Sequence, residues 1–164
     1  MMPEAQHGKI AVILFSMGGP DHPSAIHPFL FNLFNDPAIL SIPAIIRPLL
    51  AWIIASRRLR PATEIYRHLG GCSPLLGNTL AQAQALEASL ALDPRFRVFV
   101  VMRYWHPFAK DVAKAVKDYD PERILLLPLY PQWSTTTQPT ERGGLRRNIL
   151  HSEDLSQKQL KTAY

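Results

Sequence analysis

The chain has 164 residues, 47% of them hydrophobic and 19% charged, which is enough for one domain with a proper core and too little for a whole second one. A formal net charge of +5 and a pI near 9.6 admit nucleic acid, an acidic membrane surface or an anionic small molecule as partner. Apart from Arg57–Arg60 and Arg142–Arg147 the basic residues are dispersed, and no zinc spacing, RNP-type strand or aromatic-interleaved basic repeat supports nucleic acid.

Ile10–Phe15 is a continuous apolar run between Gly8 and Gly18-Gly19-Pro20, the pattern of a strand buried on both faces. It is too short for the apolar core of a secretory signal, and no positive start or small-residue cleavage site accompanies it. Ile26, Phe29, Leu30, Leu33 and Phe34 recur at helical spacing until the Asn35-Asp36-Pro37 breaker. Ile39–Ala55 is the most apolar stretch and reads as a helix or helix pair broken at its prolines. It falls short of the roughly 20 residues of a membrane span and carries Pro43, Arg47 and Pro48 in its middle. Two readings fit it: an ordinary buried helix, or an apolar lip beside a pocket or on a membrane surface, with Trp52 and the following arginines at the interface. Arg57, Arg58 and Arg60 come next, ahead of a short helix over Ala62–Leu69 that stops at Gly70-Gly71 and delivers Cys72 and Ser73. Arginine forks suit carboxylates because they bind both oxygens at once, although three arginines near a helix also describe a solvated face.

Leu76, Leu80, Ala83, Leu86 and Leu90 keep a helical period through an Ala/Gln/Leu-rich segment closed by Asp93-Pro94. Phe96–Met102 is the second strand, with Arg103-Tyr104-Trp105-His106 directly after it. Pro107 is placed to begin a helix whose inner face is Phe108, Val112, Ala115, Val116 and Tyr119. Ile124–Leu129 is a third buried strand that runs into Tyr130–Thr137, and beyond Gln138 the chain turns polar with no fourth strand expected.

Strand, helices, strand, helix, strand is the order of a doubly wound parallel α/β sheet with right-handed crossovers. Ligands of such sheets sit beyond the carboxyl ends of the strands. Ser16–Pro20, Arg103–His106 and Tyr130–Thr137 all fall there. Their aromatic, thioether, arginine and hydroxyl side chains suit a large, flat, partly anionic ligand, whereas each tyrosine alone would also fit core packing. Cys72 is the single cysteine, so no internal disulfide forms and a reducing, cytosolic setting is expected.

With these residues in view the chain resembles the ferrochelatase family, which inserts ferrous iron into protoporphyrin IX. The resemblance runs from about Ile10 to about Thr137 and rests on motifs in order: Ser16-Met17-Gly18-Gly19-Pro20; Phe29-Leu30 with Leu33-Phe34 and Asp36; Arg57-Arg58; Tyr66-Arg67 leading to Gly70-Gly71-Cys72-Ser73-Pro74; Met102-Arg103-Tyr104-Trp105-His106-Pro107; and Leu129-Tyr130-Pro131-Gln132-Trp133-Ser134. Any one is weak, and the ordered set is specific.

The resemblance implies a chelatase-like fold of two similar α/β halves around a cleft. This chain would be the first half, with an N-terminal domain over 1–137, its lip and arginine segment at 39–60, and a divergent polar tail at 138–164. It implies that Met17 faces the porphyrin on the metal-entry side and that one of Arg57, Arg58 and Arg60 holds a propionate, Arg58 being preferred. Pro61 stands one residue nearer Tyr66 than in the family's pattern, which leaves the choice among the three open. Tyr66 and Ser73 take porphyrin-contacting positions, and Arg103, Tyr104 and Tyr130 take pocket-wall positions. The family's essential histidine and its partner glutamate belong to the second half, and none of His7, His22, His27, His68, His106 and His151 sits in a matching motif. Activity of the chain alone is therefore not expected. The partners implied are protoporphyrin IX and Fe²⁺ as substrates, a separate C-terminal half, and a peripheral membrane contact through 39–55 at the inner face. No cofactor is held permanently, and a single cysteine excludes a four-cysteine iron–sulfur cluster. The alternative of a different class is a porphyrin- or haem-binding module without turnover, or an inactive fragment.

Overall fold

The computed structural model describes residues 8–130 together with residues 160–162. Its centre is a parallel sheet of β1 (Ile10–Ser16), β2 (Phe96–Met102), β3 (Arg123–Pro128) and β4 (Leu160–Thr162), in the order β2-β1-β3-β4. β1 is central: Ile10 pairs with Phe96 and Ser16 with Met102 on one side, and Ile10 pairs with Arg123 and Phe15 with Pro128 on the other. All seven β1 residues are buried, as a strand covered on both faces requires.

The period of two along the strands divides the core. Ala11, Ile13 and Phe15 share one face with Phe99, Val101, Ile124 and Leu126 beneath Val116 of α4 (Ala109–Tyr119). Val12, Leu14, Val100 and Met102 share the other with Ala83 of α3 (Leu75–Leu90). A third cluster stands at the carboxyl end. There α1 (Ile26–Phe34) and α2 (Arg47–His68) pack Ala25, Ile26, Phe29, Leu30 and Ala55 around Tyr104 and Trp105.

Three expectations change. Leu160–Thr162 adds a fourth strand to β3, Ile124 pairing with Leu160, where none was expected. Three residues are too few to display a period, and the backbone pairing alone defines this edge. α2 is one helix of 22 residues that includes the arginines and runs through Pro61, replacing a broken apolar segment followed by a separate short helix. An interior proline removes one helical hydrogen bond and costs about 3 kcal/mol in an exposed helix. Ala51, Ala55, Leu59, Ala62 and Tyr66 recur at helical spacing on both sides of Pro61, and their burial offsets that cost. Pro48 instead lies in the first turn, where no N–H is needed. Finally, α4 begins at Ala109 rather than Pro107. The Pro107 carbonyl accepts the Met102 N–H at 2.8 Å, which folds the post-strand turn back onto β2 and leaves Phe108 extended at the N-cap.

Candidate functional site: the carboxyl edge of the sheet

The turns after β1 and β2 continue the sheet beyond its strands. Arg103 N–H donates to the Ser16 carbonyl at 3.1 Å and Tyr104 N–H to the Met17 carbonyl at 3.0 Å, while Leu129 N–H donates to the Phe15 carbonyl at 2.9 Å. Glycine is required in the first of these turns for two separate reasons. Gly18 has φ +82°, and a Cβ there would stand 3.0 Å from Met102 Cβ. At Gly19 a Cβ would lie 2.5 Å from Ser73 Oγ and 2.6 Å from Ser73 Cβ. The Gly70–Pro74 turn is thus seated directly on the Ser16–Pro20 turn. Ser73 N–H donates to the Pro20 carbonyl at 2.7 Å, and Ser73 Oγ accepts the Leu75 N–H at 3.3 Å as α3 begins. Gly71 N–H in turn donates to the Tyr66 carbonyl at 2.8 Å, tying the end of α2 into the same edge.

Of the residues singled out by sequence, Met17 is 39% exposed at this edge, and Ser73 and Tyr66 are half-buried beside it. Burial raises the pKa of the Tyr66 phenol. Tyr130 is half-buried with its ring edge-on to Phe15, centroids 6.2 Å apart. Arg103 and Tyr104 lie deeper than wall positions. Arg103 Nε and Nη2 donate to Asp36 Oδ2 at 3.0 and 2.6 Å, both side chains being about one-tenth exposed, and the guanidinium lies over the Tyr104 ring. Tyr104 is 4% exposed within the α1–α2 cluster. The sequence marked Asp36 only as a motif member. A partner 67 residues from Arg103 leaves no local signal, so the pairing became visible only in the fold.

Arg58 is exposed on α2, as are Arg57 and Arg60, and among the described residues none of the three makes an ion pair. Arg67, one helical stretch later, pairs with Glu64 at 2.8 Å. At about 100° per residue, Arg57 and Arg60 fall on the same side of α2 as the exposed Leu49, while Arg58 falls on the side of Ile65. The first half of the helix and the turn before it leave Ile45 92%, Leu49 65% and Trp52 55% exposed. A free cationic turn therefore follows directly on an uncovered apolar one. No helix among the described residues is long and apolar enough to cross a membrane.

Two further features frame the chemistry. The Ser16 hydroxyl is buried at the end of β1 without a hydrogen-bond partner among the described residues. No group of three His, Cys, Asp or Glu side chains converges to hold a metal among the described residues. His106 is exposed, its ring edge-on to Trp105 and Phe108. Trp133, Ser134 and the tail over 138–159 fall outside the described residues.

A family model described as Ferrochelatase matches residues 9–162, continuing past the end of the recognised motifs. A Ferrochelatase of Phenylobacterium zucineum is 55% identical over 132 residues, covering 79% of this chain and 38% of that protein. One of Pelagibacter ubique is 53% identical over 150 residues, covering 87% of this chain and 44% of the relative. One of Rickettsia bellii is 44% identical over 150 residues, covering 90% and 41%. The chain spans about two-fifths of the length of these relatives.

Proposed function

This chain belongs to the ferrochelatase family, and from that premise we propose that it supplies the porphyrin-receiving half of a site that inserts Fe²⁺ into protoporphyrin IX to give protohaem. The observation that carries the reading is the carboxyl edge itself. Ser73 is seated on the Ser16–Pro20 turn that carries Met17, the end of α2 at Tyr66 is tied to the Gly70–Pro74 turn, and exposed arginines stand earlier on α2.

In this reading the apolar macrocycle lies against the Ser16–Pro20 and Gly70–Pro74 turns, with Tyr130 as a wall and Arg103 and Tyr104 as the support beneath. Arg58, which makes no ion pair among the described residues, binds a propionate, because an arginine without a competing carboxylate loses least when one arrives. Met17, a soft and flexible thioether, faces the ring where the metal enters. The exposed apolar turns at 39–55 rest on a membrane surface at its cytoplasmic face and take an apolar porphyrin from it. Insertion also requires a group that accepts the two pyrrole protons. The family's histidine and glutamate serve there, and in this reading they come from a second half that pairs with this one. Fe²⁺ is substrate, and no permanent cofactor or iron–sulfur cluster takes part.

Anaerobic addition of Fe²⁺ or Zn²⁺ to the purified chain with protoporphyrin IX tests the division of labour. Porphyrin binding without metallation at an enzyme's rate is expected. Rapid metallation would mean that this half carries its own base, and absence of binding would reduce the resemblance to ancestry.

A further inference from the structure

Directly after the Ser16–Pro20 turn, the chain gathers a second set of ligand-type groups that the porphyrin reading does not use. Trp105 Nε1 donates to Asp21 Oδ1 at 2.7 Å. His22 Nε2 stands 3.5 Å from the same oxygen, and His22 Nδ1 is 2.9 Å from Ser24 Oγ. The imidazole also meets the Trp105 indole edge-on, centroids 6.1 Å apart. Both groups are open to solvent, His22 at 55% and Asp21 at 36% exposure.

The spacing fits a chelate. A cation bonded at about 2.1 Å to one nitrogen and one oxygen holds those atoms roughly 3.0–3.4 Å apart in tetrahedral or octahedral geometry. Asp21 Oδ1 and His22 Nε2 are already close to that separation. The outer contacts are also those of a ligand pair. A histidine that binds through Nε2 donates its Nδ1–H to a nearby oxygen, here Ser24 Oγ, and a ligating carboxylate is itself hydrogen-bonded, here by Trp105. A second His–Asp pair, His106 Nδ1 and Asp111 Oδ2 at 3.7 Å, lies against the same indole. No oxygen comparable to Ser24 engages its Nε2 among the described residues, which makes it an internal control.

We propose that Asp21 and His22 form a two-residue chelate for a divalent transition cation of the Fe²⁺, Co²⁺, Ni²⁺ and Zn²⁺ class, with water completing the shell and Ser24 and Trp105 as positioning residues. One imidazole and one carboxylate favour these ions over Mg²⁺ or Ca²⁺. With no third protein ligand among the described residues, the site is open and exchanges its ion readily, unlike a closed structural site.

The test is a Co²⁺ titration of the full 164-residue chain without porphyrin, read by tryptophan emission in a Trp52→Phe, Trp133→Phe background so that Trp105 alone reports. A bound ion would lie within about 5 Å of the indole nitrogen, given metal–oxygen bonds of about 2.1 Å. Saturable quenching is expected, lost in His22→Ala, weakened about tenfold or more in Ser24→Ala, intact in His106→Ala and not produced by Mg²⁺. Quenching that is linear in Co²⁺, equal in His22→Ala, or abolished instead by His106→Ala would overturn the assignment. Should circular dichroism show His22→Ala unfolded, Asp21→Asn and Ser24→Ala carry the same test. Because no porphyrin is present, failure here is separable from failure of the porphyrin reading.

Discussion

Arg103 and Asp36 are opposite charges held at about one-tenth exposure, with Asp36 Oδ1 also accepting the Ala38 N–H at 2.8 Å. Removing the guanidinium leaves the Asp36 carboxylate buried without its cation, which costs about 3–5 kcal/mol, whereas an exposed pair is worth about 1 kcal/mol or less. Arg103→Met should therefore lower unfolding stability in urea by several kcal/mol, and Asp36→Leu with Arg103→Met should lose much less than the sum of the single changes. Single losses below about 1 kcal/mol would remove the pair from its supporting role. Tyr119 makes a pH-dependent case. Its hydroxyl donates to the Arg95 carbonyl at 2.6 Å, and burial raises its pKa, partly offset by the Arg97 cation. The folded chain keeps this proton where the unfolded chain, near pH 10, gives it up. The stabilisation is complete below about pH 10 and is lost as pH rises through the folded value. Tyr119→Phe should cost about 1 kcal/mol at neutral pH and flatten the fall of Tm above pH 10. An unchanged alkaline slope would contradict this.

The two glycine turns show how elements, more than single residues, define the edge. Since a Cβ on Gly19 would occupy the space of the Ser73 side chain, Gly19→Ala should displace the Gly70–Pro74 turn and cost about 1–3 kcal/mol as overpacking does. Ser73→Gly in the same chain should recover most of that loss in thermal unfolding, and additive losses would show that the turns do not meet. The strands of this architecture were legible because burial on both faces writes an unbroken apolar run, and Ile10–Phe15 and Phe96–Met102 were read within a residue of their bounds. The length of α2 was not legible, because local rules place a boundary at Pro61 and only the packing of Leu59, Ala62 and Tyr66 against α1 carries the helix through it. The motifs at the strand ends were also readable in order, and they led to the family. The depth of Arg103 and Tyr104 was not, since their sequence position at the edge says nothing of which side of the turn faces inward.

At the scale of the molecule, a parallel sheet presents its loops at one end while α2 exposes apolar side chains and then Arg57, Arg58 and Arg60, which make no ion pair among the described residues. An uncovered surface of that kind calls for a membrane, a ligand or a second protein half. Other parts of the molecule are closed. α3 caps the outer edge of β2, where Glu87 Oε1 accepts the Val98 N–H at 3.0 Å and satisfies a donor that would otherwise invite another strand. In the proposed function the open edge receives a porphyrin and a guanidinium on α2 reads its acid groups. This reading is tested most directly by absorbance titration of the purified chain with protoporphyrin IX and with its dimethyl ester, in parallel with Arg58→Ala. The account predicts tighter binding of the free acid, and a loss in Arg58→Ala that is at least about tenfold for the acid, equivalent to about 1.4 kcal/mol, and small for the ester. Equal losses for both ligands would remove the propionate role from Arg58, and no binding of either would contradict the porphyrin-receiving edge itself.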